Sequence, residues 1–243
     1  MVCFAHAGGA ASAFRTWHRH LPEEIELHAV QYPGRQDRFE ESHVDDMDAM
    51  AEAITAALRP LRDRPLALLG HSMGAAVAYE VMRRLESEAP NLTCERLFVS
   101  GRPAPEVQRP GALHRGDDDG LIEDVRRLGA IAPETLADPT LRGLFIPTLR
   151  ADYRLIERYS PSPGPALRTP VTALIGEEDP EVTREEALAW SRTTSGSFAL
   201  RDFPGDHFYL TTQEPQVVDA VAATLTPAVS HHPSESSDGR FLR

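Results

Sequence analysis

The sequence contains no lysine; all 25 of its basic residues are arginine. This excludes an internal Schiff-base lysine and a Ser-Lys catalytic pair. Cysteine is almost as scarce, with only Cys3 and Cys94 in 243 residues. The two form no CxxC pair and no metal-ligand spacing, so a reduced, cytoplasmic chain is expected. No apolar run approaches the roughly 18–20 residues of a membrane span. The opening residues 1–6 have neither a basic region nor a long apolar one, and no secretory signal is expected. Positive charge is in deficit: 37 acidic residues against 25 basic ones give a formal charge of −12. Without a basic run, that balance argues against nucleic acid and anionic membrane as partners.

What remains is an ordinary globular balance, 41% hydrophobic and 26% charged, which excludes a wholly disordered or fibrous chain. Short β-rich runs at 1–5, 25–30, 65–69, 97–100, 171–175 and 197–203 alternate with helical patterns. Met47, Met50, Ala51, Ile54 and Leu58 form one helical stripe, ended by Pro60. Phe14, Trp17 and Leu21 recur at helical spacing, and residues 73–85 and 215–225 are helical in pattern. Thr183 with Glu186 is a capping box. This alternation predicts an α/β fold, a mostly parallel sheet with helices on both faces. The expected domain is 1–225. Within it, 103–170 carries no strand pattern, only helical pieces at 121–128 and 141–156, and is read as a helical lid inserted over the sheet's C-terminal edge. The segment 226–243, rich in Ser, Pro and His, is expected to be a disordered tail, and its His231 and His232 are not expected to be ligands.

Gly70-His71-Ser72-Met73-Gly74 is a G-x-S-x-G sequence between a buried-strand run and a helix. In that context the serine sits on a tight strand-to-helix turn. Side chains two residues before and after it would collide, which explains Gly70 and Gly74. Ser72 is therefore the candidate nucleophile, against the plainer reading of a Gly-rich turn with a capping serine. A serine hydroxyl needs a base. His207 follows the last strand, on the edge where Ser72 must lie. His114 belongs to the insertion, and His71, as Ser72's neighbour, reads as a packing residue. The orienting acid is Asp179, directly after the strand run at 171–175, with Glu177 and Glu178 as rivals. Asp206 adjoins His207 and is badly placed to pair with it. The strand ending at Ser100-Gly101-Arg102 offers no acid. An oxyanion hole needs two amides. Met73 supplies one and the loop His6-Ala7-Gly8-Gly9-Ala10 the other, with Ala7 preferred and neighbouring amides possible. Read from residues alone, this is an α/β-hydrolase-fold serine enzyme transferring acyl groups to water.

At these same residues the chain resembles the type II thioesterases that accompany polyketide and nonribosomal peptide synthases. The blocks that carry the resemblance run from Val2 to about Leu225. They are Cys3-Phe4-Ala5-His6-Ala7-Gly8-Gly9, Tyr32-Pro33-Gly34-Arg35, the Ser72 turn, Ser100-Gly101-Arg102-Pro103, Pro147-Thr148-Leu149-Arg150-Ala151-Asp152-Tyr153, Gly176-Glu177-Glu178-Asp179-Pro180 and Gly205-Asp206-His207-Phe208. Two departures stand out. Ala5 replaces the family's usual proline, and the chain begins inside the first block, as a truncated or misplaced start would. The resemblance implies hydrolysis of stalled or misprimed acyl groups from the phosphopantetheine arms of acyl or peptidyl carrier proteins. It implies Ser72, His207 and Asp179 as the triad and no metal or redox cofactor. Docking of the carrier is expected through apolar contact and local arginines. Three other readings use the same residues: a small-molecule carboxylesterase or lactonase, an acyltransferase or cyclase, and a non-catalytic module.

Overall fold

A computed structural model describes residues 1–107, 111–129, 138–161 and 163–226. Its centre is a six-stranded, all-parallel sheet. The strands are β1 (Val2–Phe4), β2 (His28–Ala29), β3 (Leu66–His71), β4 (Cys94–Ser100), β5 (Val171–Gly176) and β6 (Phe198–Phe203). They lie in the order β2-β1-β3-β4-β5-β6. All six residues of β3 and of β5 are buried, because helices cover both sides of a parallel sheet. Their sequences are accordingly continuous apolar runs with no alternation. The strand expected at 25–30 shortens to two residues of ladder. It lies at the sheet edge and, among the described residues, pairs only with β1.

The chain steps from β1 outward to β2, then crosses back to β3 on the other side. That reversal opens a crevice between the carboxyl ends of β1 and β3, the position where open α/β sheets bind ligands. Register aligns the ends along one edge: Phe4 pairs with Gly70, His71 with Ser100, Ser100 with Leu174, and Gly176 with Phe203.

Seven α-helices are described: α1 (Met47–Ala57), α2 (Met73–Glu88), α3 (Asp118–Leu128), α4 (Pro139–Arg158), α5 (Arg184–Leu188), α6 (Tyr209–Thr212) and α7 (Glu214–Leu225). Asp46 caps α1 by accepting from the Ala49 amide, and Thr183 and Glu186 form the expected capping box on α5. The first half of α2 is buried on all sides, which accounts for its small residues Gly74, Ala75, Ala76 and Ala78. Residues 14–21 do not form an α-helix. Phe14 and Trp17 sit in two single 3-10 turns, neither with a side-chain cap, and pack edge to face at 5.2 Å.

The insertion is helical as expected, and no strand occurs in it among the described residues. Arg150 ties α4 to the start of α3, donating to the His114 and Gly116 carbonyls and to Asp118. Tyr153 donates to Asp124 at 2.6 Å. Leu121 and Val125 of α3 meet Leu149 and Tyr153 of α4, and this cluster packs against Ala7. Each such burial contributes roughly 1.5–3 kcal/mol, so the insertion is held on the loop after β1 and forms a lid over the sheet edge. The expected tail from 227 onward, with His231 and His232, lies outside the described residues.

Candidate active site

Strand β3 delivers Ser72 to the sheet edge in a backbone conformation that side chains rarely adopt, φ 55° and ψ −118°. Such strain costs on the order of 1–3 kcal/mol and persists only where surrounding structure enforces it. The two glycines of the motif provide that enforcement. A Cβ on Gly70 would lie 2.0 Å from the Gly74 carbonyl oxygen, and one on Gly74 would lie 2.2 Å from the Phe4 carbonyl oxygen. The Ser72 amide donates to the Ser100 carbonyl at 2.8 Å, fixing the turn to β4. The side chain makes no capping bond to α2, which removes the capping-serine reading. Ser72 is half-buried among buried neighbours.

His207 lies on the loop after β6 and is 1% exposed. Its Nδ1 is 2.9 Å from both carboxylate oxygens of Asp179, on the loop after β5. The Asp179 carboxylate is fully buried, and its Oδ1 also accepts from the Glu181 amide at 2.8 Å. The rivals Glu177 and Glu178 are exposed, their amides engaged with the Phe203 and Gly205 carbonyls. Asp206 does not pair with His207; it accepts from the Phe208 amide and shapes the turn.

The ring of His207 lies 5.0 Å from that of His71, the residue immediately before Ser72. Gly101 makes this approach possible. Its φ is +59°, and a Cβ there would come within 2.8 Å of His71 and 3.2 Å of His207. Three histidines thus crowd the site, since His6 also contacts His71 at 6.0 Å. Burial, reinforced by His207, pushes His6 down to about 4 and His71 well below its usual value. Both are neutral at pH 7. His71 Nδ1 is 3.0 Å from Ser100 Oγ, which in turn bonds the Tyr209 hydroxyl at 2.6 Å. His71 is therefore a packing residue, and His207 is the one of the three hydrogen-bonded to a carboxylate among the described residues. His114 is remote from this chemistry: it sits in the lid and pairs with Glu157.

The loop after β1 narrows the choice of oxyanion donor. The Gly8 amide is occupied by Asp152 at 2.7 Å and the Gly9 amide by the His6 carbonyl at 2.9 Å. The Gly8 and Gly9 amides are thus engaged within the protein, and Ala7 stays the donor expected from sequence. Ala5 is buried, and its carbonyl accepts from the Tyr32 hydroxyl at 3.3 Å, which ties the start of the loop to the turn after β2.

Sequence reasoning assigned no role to Arg35 and Asp152. They form a buried pair joined by two 2.8 Å hydrogen bonds, with side-chain exposures of 8% and 0%. A readable signal existed. Asp152 follows Leu149 by three residues and precedes Tyr153 and Ile156, so it lies on the apolar face of α4.

A family model described as thioesterase domain matches residues 1–225. The chain is 40% identical to the "Probable cadicidin biosynthesis thioesterase" of Streptomyces griseus, over 98% of this chain and 63% of that protein. It therefore spans less than two thirds of that relative's length. It is also 40% identical to thioesterase PikA5 of Streptomyces venezuelae, over 93% of this chain and 80% of the other. Among solved structures, the type II thioesterase BorB from the borrelidin biosynthetic cluster superposes with a TM-score of 0.85. It is 42% identical and covers 93% of this chain and 91% of its own. The chain belongs to the thioesterase family and is an α/β-hydrolase-fold enzyme of the type II thioesterase group.

Proposed function

We propose that the chain hydrolyses acyl thioesters carried on the phosphopantetheine arms of acyl or peptidyl carrier proteins, clearing stalled or misprimed groups. The observation that carries the reading is the His207–Asp179 pair, packed beside the strained turn that bears Ser72. Ser72 Oγ attacks the thioester carbonyl while His207 Nε2 takes its proton. Asp179 holds the other ring nitrogen and stabilises the imidazolium. The oxyanion is received by the Ala7 and Met73 amides, each such donor being worth roughly 2.7–4 kcal/mol of transition-state stabilisation. The C–S bond breaks, and the departing thiolate takes the proton from His207. Water then attacks the acyl-serine, giving its proton to His207, and the acid leaves as Ser72 recovers its hydrogen.

A cavity of about 640 Å³ adjoins the Ala7–Gly8 loop and runs between it and α4. Phe39, Leu141 and Leu144, three large apolar residues left exposed, line it together with Phe145. Such a lining suits the acyl chain of the substrate. No helix among the described residues is long and apolar enough to cross a membrane, and a cytoplasmic enzyme meeting its carrier in solution fits the reading.

The test is a hydrolysis panel of acyl- and aminoacyl-carrier thioesters of varied chain length, run beside matched oxygen esters. Faster turnover of the thioesters is expected, with free acid as the product. A strong preference for oxygen esters would instead make this a carboxylesterase. Transfer of the acyl group to a nucleophile other than water would make it an acyltransferase or cyclase.

A further inference from the structure

Asp152 uses its whole carboxylate: Oδ1 accepts from Arg35 Nη2, and Oδ2 accepts from both Arg35 Nη1 and the Gly8 amide. Arg35 Nη1 also donates to the Gly9 carbonyl at 2.8 Å. The pair therefore grips the two residues that follow Ala7, one by its N–H and the other by its C=O. It joins three segments: the loop after β1, the turn after β2, and lid helix α4, from residues 117 positions apart. The Arg35 guanidinium also lies over the Tyr32 ring, whose hydroxyl bonds Ala5 on the near side of the loop. Gly8 is at φ +75°, and a Cβ there would strike Leu149 of α4. The loop is thus pressed against the lid and held on both sides of Ala7.

Buried ion pairs are poor devices for stability, since apolar replacements of similar volume are often neutral or stabilising. Here the pair has a different use. A carboxylate on Gly8 orients that peptide, but alone it would place negative charge beside the nascent oxyanion. Arg35 neutralises it and holds the Gly9 carbonyl, fixing the Gly9–Ala10 peptide. We propose that Arg35 and Asp152 are positioning residues for the oxyanion hole, acting through the Ala7 amide and tying its alignment to the seating of the lid. This rests on the assignment of Ser72 and Ala7 under Proposed function.

The test uses two variants, Asp152→Asn and the paired apolar replacement Arg35→Met with Asp152→Leu. Each is assayed on an acyl-N-acetylcysteamine thioester and against a trifluoromethyl ketone analogue, whose serine adduct puts an oxyanion in the hole. Misalignment of a catalytic group by about 1 Å costs roughly 10²-fold, so kcat should fall ~10–100-fold with KM within about twofold. The ketone's inhibition constant should rise by the same factor while thermal unfolding stays cooperative. A folded paired variant with kcat near wild type would overturn the proposal. So would a fall in kcat with unchanged ketone binding. Failure of both variants to fold would overturn it too, by making the pair a requirement of stability. Wild-type turnover and its loss in Ser72→Ala test the underlying assignment separately.

Discussion

His207 Nδ1 is equidistant, at 2.9 Å, from the two carboxylate oxygens of Asp179. Both side chains are almost wholly removed from solvent. An ionised carboxylate there favours the ring tautomer with hydrogen on Nδ1, the one the proposed general base requires.

Asp179→Asn should keep the fold and lower kcat by about 10⁴-fold, since the amide favours the wrong tautomer of the imidazole. Glu177→Gln and Glu178→Gln should stay within about twofold of wild type, being exposed and outside the hydrogen-bonded pair. Steady-state kinetics on one thioester separates the three. An unchanged rate in Asp179→Asn would move the acid elsewhere.

His71 is buried and its folded-state proton affinity lies well below the usual 6.5, chiefly through loss of solvent. As pH drops through about 6.5, the unfolded chain takes up a proton that the folded chain refuses. Stability from this residue is therefore present above that pH and is lost as pH falls. His71→Gln should flatten the decline of the melting temperature between pH 7 and pH 5. Parallel curves for wild type and variant, measured by thermal denaturation, would remove His71 from the balance.

Leu144 is 49% exposed and faces the cavity beside the Ala7–Gly8 loop. Leu144→Asp should leave the melting temperature nearly unchanged and weaken long acyl substrates by ~1–3 kcal/mol relative to acetyl. The ratio of kcat/KM for octanoyl and acetyl thioesters measures this. An unaltered ratio would place the acyl chain elsewhere.

Ser72, Asp179 and His207 stood out as candidates in the sequence because each follows a strand run, and glycines mark the turns at Gly70, Gly74, Gly176 and Gly205. In a parallel sheet, residues that follow strands share one edge, so sequence position stood in for spatial position. The lid was legible from what 103–170 lacked. Two features were not. Gly101 has meaning only once His71 and His207 are seen to crowd it, a contact between rings more than a hundred residues apart. Arg35 and Asp152 lay in the motif blocks without a role; the helical spacing of Asp152 hinted at burial, but only the fold shows that the two, 117 positions apart, pair beside the loop after β1. The helical spacing at residues 14–21 misled for a local reason: each turn ends after three or four residues with no side chain to cap it.

The most direct test of the account is rapid-quench mass mapping of the enzyme mixed with an acyl-carrier thioester. The account predicts a transient acyl group on Ser72, formed with release of the carrier thiol and absent from Ser72→Ala, which no longer turns over. Acylation at another residue, or undiminished hydrolysis by Ser72→Ala, would contradict it.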